Sequence, residues 1–286
     1  MKRVALINDL SGLGKCSLVA AIPVISVMGM QACPLPTAIL TAQTGFDDYY
    51  CDDYTDRMDE FTCRWKKMGM TFDGIYSGYL AAAEQIDKVE SFLDQFQTKE
   101  NLFLADPVLG DDGEVFKVFS PGLLEGMRRL TLRADIITPN LTELCLLLGE
   151  DYGQLIRHRG SRDYLKRIEE LAARQQERSK RAQSVIVTGI LRPEEGTMRM
   201  GNLALSEAGV AYVEKEYTGK SFSGTGDLFA SVVCGSLVQG KSVSKAVKRA
   251  ASFLQEAILD ATQKGIPGPH GVEFERYLHL LREEEE

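Results

Sequence analysis

The sequence lacks three features that would mark it as secreted, membrane-bound or zinc-binding. Its six cysteines include no pair at the two-residue spacing typical of zinc ribbons, so we expect scattered, reduced thiols. The apolar run near the N-terminus is too short for a secretory signal. No apolar run approaches the roughly 18 residues of a membrane span. These absences predict a cytoplasmic protein without a membrane partner.

Positive charge is also scarce. The chain of 286 residues has 33 Lys and Arg against 41 Asp and Glu, for a formal net charge of −8. A broad nucleic-acid-binding face is built mainly from clustered Lys and Arg, so this balance argues against a nucleic-acid partner. The hydrophobic content of 44% is sufficient for a large core, and no linker interrupts the chain. We expect one domain spanning residues 1–286.

The sequence also lacks a complete phosphate loop. The stretch VALINDLSGLGKCSL, residues 4–18, contains Gly14-Lys15 after an apolar run. The motif requires a glycine where Asp9 stands and a Ser or Thr where Cys16 stands, because the hydroxyl must reach Mg²⁺. We therefore interpret this stretch as a strand and a glycine turn leading into a helix, with Lys15 as an ordinary surface residue of the first turn.

What the sequence does contain is an alternation of short apolar strands with helical segments. Residues 82–96 and 244–261 carry apolar side chains at helical spacing, and a Ser-Glu-Ala-Gly turn joins two late strands into a hairpin at a sheet edge. The terminal REEEE is expected to be a frayed tail. The pattern predicts an α/β fold, a mainly parallel sheet with helices on both faces, whose strands lie at 3–7, 32–40, 72–78, 101–107, 134–139 and 184–189.

The stretch FSGTGDLFASVVCGSL, residues 222–237, is the most informative about chemistry. Gly224, Thr225 and Gly226 form a turn at the start of a helix, where unpaired N–H groups and the helix dipole favour an anion. Asp227 follows in the first turn. Two interpretations of Asp227 stay open on local grounds: a carboxylate that stabilises the helix start, and a general base that accepts a proton during phosphoryl transfer.

Polar residues also follow three predicted strands. They are Asp106 to Gly113, Thr138 to Glu143, and Thr188-Gly189. Ligands of open α/β sheets bind at the carboxyl ends of the strands, and carboxylates and amides there suit Mg²⁺. Asn140 or Thr142 alone is explained better as a helix cap, but the combination favours a phosphoryl-transfer site.

These motifs resemble a known family. GTGDLFAS, ADPVLGDDG and ADIITPNLTEL are similar to the vitamin-kinase branch of the ribokinase-like superfamily, and most of all to pyridoxal or pyridoxamine kinases. YSGYLAAAEQI and TAQTGF resemble two further segments of those enzymes. The resemblance runs in order from about residue 4 to residue 260. It implies a single three-layer α/β/α sandwich that uses ATP to phosphorylate a hydroxymethyl group on a pyridine or pyrimidine ring.

The resemblance also implies residue roles. Asp227 is the expected catalytic base, and the backbone of residues 224–226 is the expected anion hole. Thr188 and Gly189 are expected to border ATP, and residues 111–119 to form a loop near the phosphates. The expected ligands of Mg²⁺ are Asp106, Asp111 and Glu143, which serve the nucleotide phosphates together with Asn140; the expected ring contacts are Asp9 or Ser11, Thr44 and Tyr79.

Some positions depart from the pyridoxal kinases. Asn8 to Gly12 resembles instead a segment of hydroxymethylpyrimidine kinases of thiamine synthesis, and Phe46 and Phe116 replace frequent tyrosines. Two acceptors therefore stay open, with the B6 vitamers expected first. A non-catalytic binding protein is a third hypothesis, against which the intact Gly-Thr-Gly-Asp argues. A homodimer is expected from the resemblance, which leaves open whether a monovalent cation assists the anion hole.

Overall fold

The first strand shows how the sequence builds two cores. In the computed structural model, β1 (Arg3–Ser11) is buried along nearly its whole length. Val4 and Leu6 face one hydrophobic cluster, whereas Ala5 and Ile7 face the other. A central parallel strand is covered by helices on both faces, so it reads as a continuous apolar run rather than an alternating one.

The structure describes residues 1–117 and 119–282. Two short 3₁₀ segments, Gly268–His270 and Phe274–Leu281, follow the last helix. The helices are α1 (Ser17–Val27), α2 (Thr55–Lys67), α3 (Ala83–Phe96), α4 (Pro121–Arg133), α5 (Leu141–Leu148), α6 (Tyr152–Ile156), α7 (Tyr164–Arg178), α8 (Thr225–Val238) and α9 (Val243–Gln263). The strands after β1 are β2 (Gln31–Leu40), β3 (Cys51–Asp53), β4 (Gly74–Ser77), β5 (Leu102–Ala105), β6 (Gly110–Asp111), β7 (Glu114–Val115), β8 (Ile136–Ile137), β9 (Ser184–Glu194), β10 (Thr197–Ser206) and β11 (Gly209–Glu216).

Nine strands form one sheet in the order β11-β10-β9-β8-β5-β4-β1-β2-β3. The six strands from β9 to β2 are parallel, and antiparallel strands close both edges. One face is covered by α1, α8 and α9, and the other by α2 to α5 and α7. The predicted α/β/α sandwich is confirmed. Within the described residues, no helix is both long and apolar enough to cross a membrane.

The predicted helices at 82–96 and 244–261 correspond to α3 and α9, and β10 and β11 form the predicted hairpin at the sheet edge. Three details differ. Helix α1 begins at Ser17, so Lys15 lies before the helix and not in its first turn. The edge strand β3 was not expected, and the predicted loop at 111–119 contains part of the β6–β7 hairpin. Val118 of that loop and the predicted tail at 283–286 lie outside the described residues.

Candidate active site

The start of α8 has the geometry expected of an anion site. Gly224 precedes the helix with φ of 83°, and a Cβ on it would lie 1.9 Å from the Lys15 carbonyl oxygen, so only glycine fits. A Cβ on Gly226 would meet nothing within 4 Å. The Thr225 hydroxyl turns back to donate to the Phe222 carbonyl at 3.0 Å. The first turn of α8 therefore presents backbone rather than side chains to the open space.

Asp227 lies in that first turn. Its carboxylate accepts hydrogen bonds from the Asn8 side-chain amide, at 3.1 Å, and from the Ser17 backbone N–H. Burial raises the pKa of Asp227 to about 6, and the hydrogen bonds to its carboxylate oppose this rise. The side chain is still partly accessible. Both interpretations of Asp227, a helix-start carboxylate and a proton acceptor, are compatible with these contacts.

Ser17 connects two carboxylates. Its φ of 52° lies in the left-handed region, which costs a non-glycine residue free energy and is common at functional sites. In this conformation its N–H reaches Asp227, and its hydroxyl donates to Asp9 at 2.5 Å. The first turn of α1 thus donates a hydrogen bond to the carboxylate of Asp227 in α8.

Asp9 and Ser11, the expected ring contacts, are paired with each other. The Ser11 hydroxyl donates to Asp9 at 2.9 Å, and Ser11 is fully buried. Asp9 is 5% exposed and also accepts from Ser17. Burial raises the pKa of Asp9, and the serine hydroxyls oppose the rise. Both hydroxyl partners are internal, so a contact of Asp9 or Ser11 with a ring stays a prediction.

Tyr79 follows β4, and Thr44 lies between β2 and β3. Tyr79 is partly accessible, and burial followed by the charge of Asp9 raises the pKa of its phenol. Thr44 is exposed in the turn between β2 and β3. That turn is fixed by Gln43, whose amide donates to the Pro269 carbonyl at 2.9 Å and whose oxygen accepts from the Gly45 N–H at 2.7 Å.

Asp106 follows β5 and is buried. Its carboxylate accepts a hydrogen bond of 2.8 Å from the Thr138 hydroxyl, which follows β8. Burial, and then the negative charge of Asp227, raise the pKa of Asp106 to about 7. Two buried carboxylates that repel each other favour a cation between or beside them.

Glu143 and Asn140 form a capping box at the start of α5. The Asn140 side chain accepts from the Glu143 N–H at 2.9 Å, and Glu143 accepts from the Asn140 N–H at 2.8 Å. Burial, followed by the charge of Asp106, raises the pKa of Glu143. The helix-cap interpretation of Asn140 is therefore correct, and the cap brings Glu143 towards Asp106.

The β6–β7 hairpin packs over this corner. Asn140 donates to the Gly110 carbonyl at 2.8 Å, the Gly113 N–H donates to the Thr142 hydroxyl at 2.8 Å, and the Tyr152 hydroxyl donates to Asp112 at 2.9 Å. These contacts fix the segment beside Glu143. Asp111, an expected metal ligand, lies exposed in it.

Thr188 and Gly189 lie next to Asn140 on the neighbouring strand. The Thr188 N–H donates to the Pro139 carbonyl at 2.9 Å, and Thr188 pairs with Asn140 in a parallel bridge. Gly189 has φ of 68° and is exposed, with nothing within 4 Å of where its Cβ would be. The expected nucleotide-bordering residues are thus adjacent to the Glu143 corner.

Residues 18–271 match the family model described as phosphomethylpyrimidine kinase. The chain belongs to this family. Among solved structures, a Bacteroides thetaiotaomicron protein described as a candidate phosphomethylpyrimidine kinase is 37% identical, with a TM-score of 0.90, covering 98% of this chain and 93% of that one. Another crystal form of that protein, described as containing pyridoxal, is 36% identical, with a TM-score of 0.90, over 98% of this chain and 95% of that one.

The resemblance to pyridoxal kinases is confirmed as well. The pyridoxal kinase of Lactobacillus plantarum is 26% identical, with a TM-score of 0.86, over 98% of this chain and 96% of that one. Among curated proteins, a pyridoxal kinase of Histophilus somni is 26% identical over 202 residues, which cover 68% of this chain and 65% of the relative. The match spans slightly less than two thirds of that relative.

The carboxylates of this family member fit Mg²⁺ only as partners of a nucleotide. Among the described residues, no three His, Cys, Asp or Glu side chains gather closely enough to hold a metal ion by themselves. Mg²⁺ usually takes one or two carboxylates together with substrate phosphates and water. Asp106 and Glu143 are buried carboxylates with raised pKa values and would suit that role, whereas Asp111 lies exposed in the hairpin.

Sequence reasoning missed several residues of the site. Asn8 was noted only as a departure from the pyridoxal kinases, Ser17 and Gln43 were given no role, and Thr138 was only grouped with the polar residues that follow the strands. Asn8 and Asp227 are 219 positions apart, so no local pattern joins them. One available signal was that Asn8 is a polar residue near the end of an otherwise apolar strand.

Proposed function

We propose that this chain transfers the γ-phosphoryl group of ATP to the 5′-hydroxymethyl group of a B6 vitamer: pyridoxal, pyridoxamine or pyridoxine. The observation that carries the proposal is Asp227, a partly accessible carboxylate with a pKa of about 6 beside the open helix start at Gly226. A general base works best with a pKa near the working pH. An adjacent helix start stabilises phosphate charge.

In the proposed reaction, the hydroxymethyl proton passes to the Asp227 carboxylate as the oxygen attacks the γ-phosphorus. The new O–P bond forms as the bond to the β,γ-bridging oxygen breaks, and ADP leaves. Backbone N–H groups of residues 224–226 stabilise the charge on the transferred group. Holding both reactants in line supplies much of the rate. The proton on Asp227 returns to solvent after release of the product.

On the nucleotide side, Asp106 and Glu143 would hold Mg²⁺, which would offset the negative charge of the phosphates. The repulsion between Asp106 and Asp227 supports this assignment, because a cation relieves it. Thr188 and Gly189 lie next to Asn140 and are accessible enough to border the nucleotide. Thr44 and Tyr79 are proposed to face the ring.

Relatives support the vitamer as acceptor. The Bacteroides thetaiotaomicron relative is 36% identical over 98% of this chain and is described with pyridoxal. The Leishmania donovani enzyme is described in complexes with ADP and pyridoxamine, but at 18% identity it supports the fold alone. The alternative acceptor is hydroxymethylpyrimidine, because Asn8 to Gly12 resembles a segment of the kinases that act on it.

The test is ADP release measured by a coupled assay with the four acceptors: pyridoxal, pyridoxamine, pyridoxine and hydroxymethylpyrimidine. We expect the largest kcat/KM with one of the three vitamers. A clear preference for hydroxymethylpyrimidine would replace the proposed acceptor. Ligand binding without ADP release for all four would favour a non-catalytic binding protein.

A further inference from the structure

Asn8 contacts the proposed base and the proposed substrate turn at once. It is fully buried near the end of β1. Its amide nitrogen donates to Asp227 at 3.1 Å, and its amide oxygen accepts from the Tyr79 N–H at 2.9 Å and from the Asp9 N–H at 3.0 Å. One side chain thus connects α8, the turn after β4 and the end of β1.

The orientation of this amide follows from its partners. Two backbone N–H groups can be accepted only by the amide oxygen, so the nitrogen must face the Asp227 carboxylate, which accepts and does not donate when ionised. Gly78 leaves room for it: a Cβ at that position would lie 2.3 Å from the Asn8 amide nitrogen. A residue with a side chain at position 78 would therefore collide with the Asn8 amide.

We propose that Asn8 is a positioning residue that holds the Asp227 carboxylate in register with the turn carrying Tyr79. This inference rests on the proposed function. A base that takes a proton from a bound hydroxyl must be aligned with the substrate, and a misplacement of about 1 Å can cost about 100-fold in rate. Because Asn8 is hydrogen-bonded to both Asp227 and the Tyr79 backbone, movement of one is transmitted to the other.

The Asn8→Asp variant separates this role from simple support of the backbone. Aspartate keeps an oxygen that accepts the Tyr79 and Asp9 N–H groups, but replaces the donor to Asp227 with a second carboxyl oxygen. That oxygen repels Asp227 or shares its proton, and both effects hinder the base. With pyridoxal and ATP, we expect kcat to fall roughly 10- to 100-fold while KM for pyridoxal changes little.

Asn101→Asp is the matched control. Asn101 is also buried, and its amide nitrogen donates to the Phe72 and Phe96 carbonyls while its oxygen accepts from the Thr98 N–H. It precedes β5, at the end of the sheet opposite the candidate site. We expect Asn101→Asp to lower the thermal midpoint without lowering kcat at a temperature where the variant is folded.

A double-mutant cycle with Asp227→Asn provides the second measurement. An asparagine at 227 can donate to an aspartate at 8, which restores the hydrogen bond in reverse. We expect Asn8→Asp to lower the thermal midpoint less in the Asp227→Asn background than in the wild type, and the two losses in kcat not to multiply. If Asn8→Asp alone does not fold, recovery of folded protein by Asp227→Asn supports the contact, and no recovery contradicts it.

Failure of the proposed role of Asn8 can be distinguished from failure of the proposed function. A wild-type protein that releases no ADP with any of the four acceptors overturns that function and this inference together. An active wild type whose Asn8→Asp variant keeps its kcat, or whose losses multiply in the double variant, overturns the role of Asn8 alone.

Discussion

Two glycine turns lead into helices at the same end of the sheet, and only one of them has the features of an anion site. Before α1, a Cβ on Gly14 would lie 2.6 Å from the Gln43 side chain, and the Ser17 N–H is engaged by Asp227. Within the first turn of α8, the position of a Cβ on Gly226 is open. The two turns pack together, with Gly224 against the Lys15 backbone.

The difference shows what a helix start needs in order to bind phosphate. Every helix has unpaired N–H groups and a partial positive charge at its first turn. At α1 the N–H of Ser17 is satisfied by Asp227, a carboxylate of the protein itself. At α8 the first turn faces open space, so an incoming anion can satisfy its donors. Glycine near a helix start is therefore weaker evidence of phosphate binding than the space in front of the helix.

The largest effect should come from closing the contact between the turns. Gly224→Ala places a Cβ 1.9 Å from the Lys15 carbonyl oxygen in a left-handed conformation. Left-handed backbone costs a non-glycine residue about 1–2 kcal/mol, and overpacking adds about 1–3 kcal/mol. We expect a lower free energy of unfolding in urea and loss of nearly all ADP release.

Gly226→Ala is the control for that variant, because its Cβ enters open space. Its free energy of unfolding should stay close to that of the wild type, and any loss of activity should appear in kcat or in KM for ATP. Equal destabilisation by both substitutions would contradict the contrast between the two positions.

The next effect concerns the base. Asp227→Asn removes the proton acceptor and leaves the shape of the α8 start unchanged, so we expect kcat to fall about 100-fold or more. Binding of a non-hydrolysable ATP analogue, measured by calorimetry, should change little. Asp56→Asn, which alters an acidic residue in the first turn of α2, should leave both quantities unchanged. Near-normal turnover by Asp227→Asn would rule out Asp227 as the base.

The pH dependence of kcat/KM is a second test of Asp227 as the base. The pKa of Asp227 is raised to about 6, and only its ionised form accepts a proton, so kcat/KM should rise with pH through about 6 and level off above it. The folded protein binds this proton more tightly than the unfolded chain does, so the fold loses stability as pH rises from about 4 to about 6, and the loss is complete above that range. Asp227→Asn should therefore melt at a higher temperature than the wild type at pH 8, and at a similar temperature near pH 4. A profile flat between pH 5 and 8 would contradict the assignment.

The sequence predicts the architecture better than the contacts. Helix α3 follows from periodicity because Ile86, Val89, Phe92 and Phe96 each bury against the same cluster. The polar strand ends follow from the rule that parallel strands finish at one edge of the sheet. Asp106 and Thr138 meet there as a consequence of strand order, since β5 and β8 are neighbours.

Contacts between distant segments could not be derived in the same way. Ser17 lies in an unusual backbone conformation that no propensity favours, and it depends on the fold around it. Gln43 contacts Pro269 across 226 positions. Asp9 or Ser11 was expected to face the ring from the family resemblance, which does not reveal that the two side chains are each other's partners.

The smallest effect is expected at Lys15, where the sequence most resembles a phosphate loop. A phosphate-loop lysine reaches the β- and γ-phosphates, whereas the Lys15 ammonium pairs with Glu275 at 2.6 Å in the C-terminal 3₁₀ segment. Both side chains are partly exposed, and such pairs contribute about 0–1 kcal/mol to stability. We therefore expect Lys15→Met to lower the thermal midpoint only slightly and to leave kcat and KM for ATP almost unchanged. A large rise in KM for ATP would show that the turn before α1 also binds phosphate, and the contrast between the two helix starts would then be wrong.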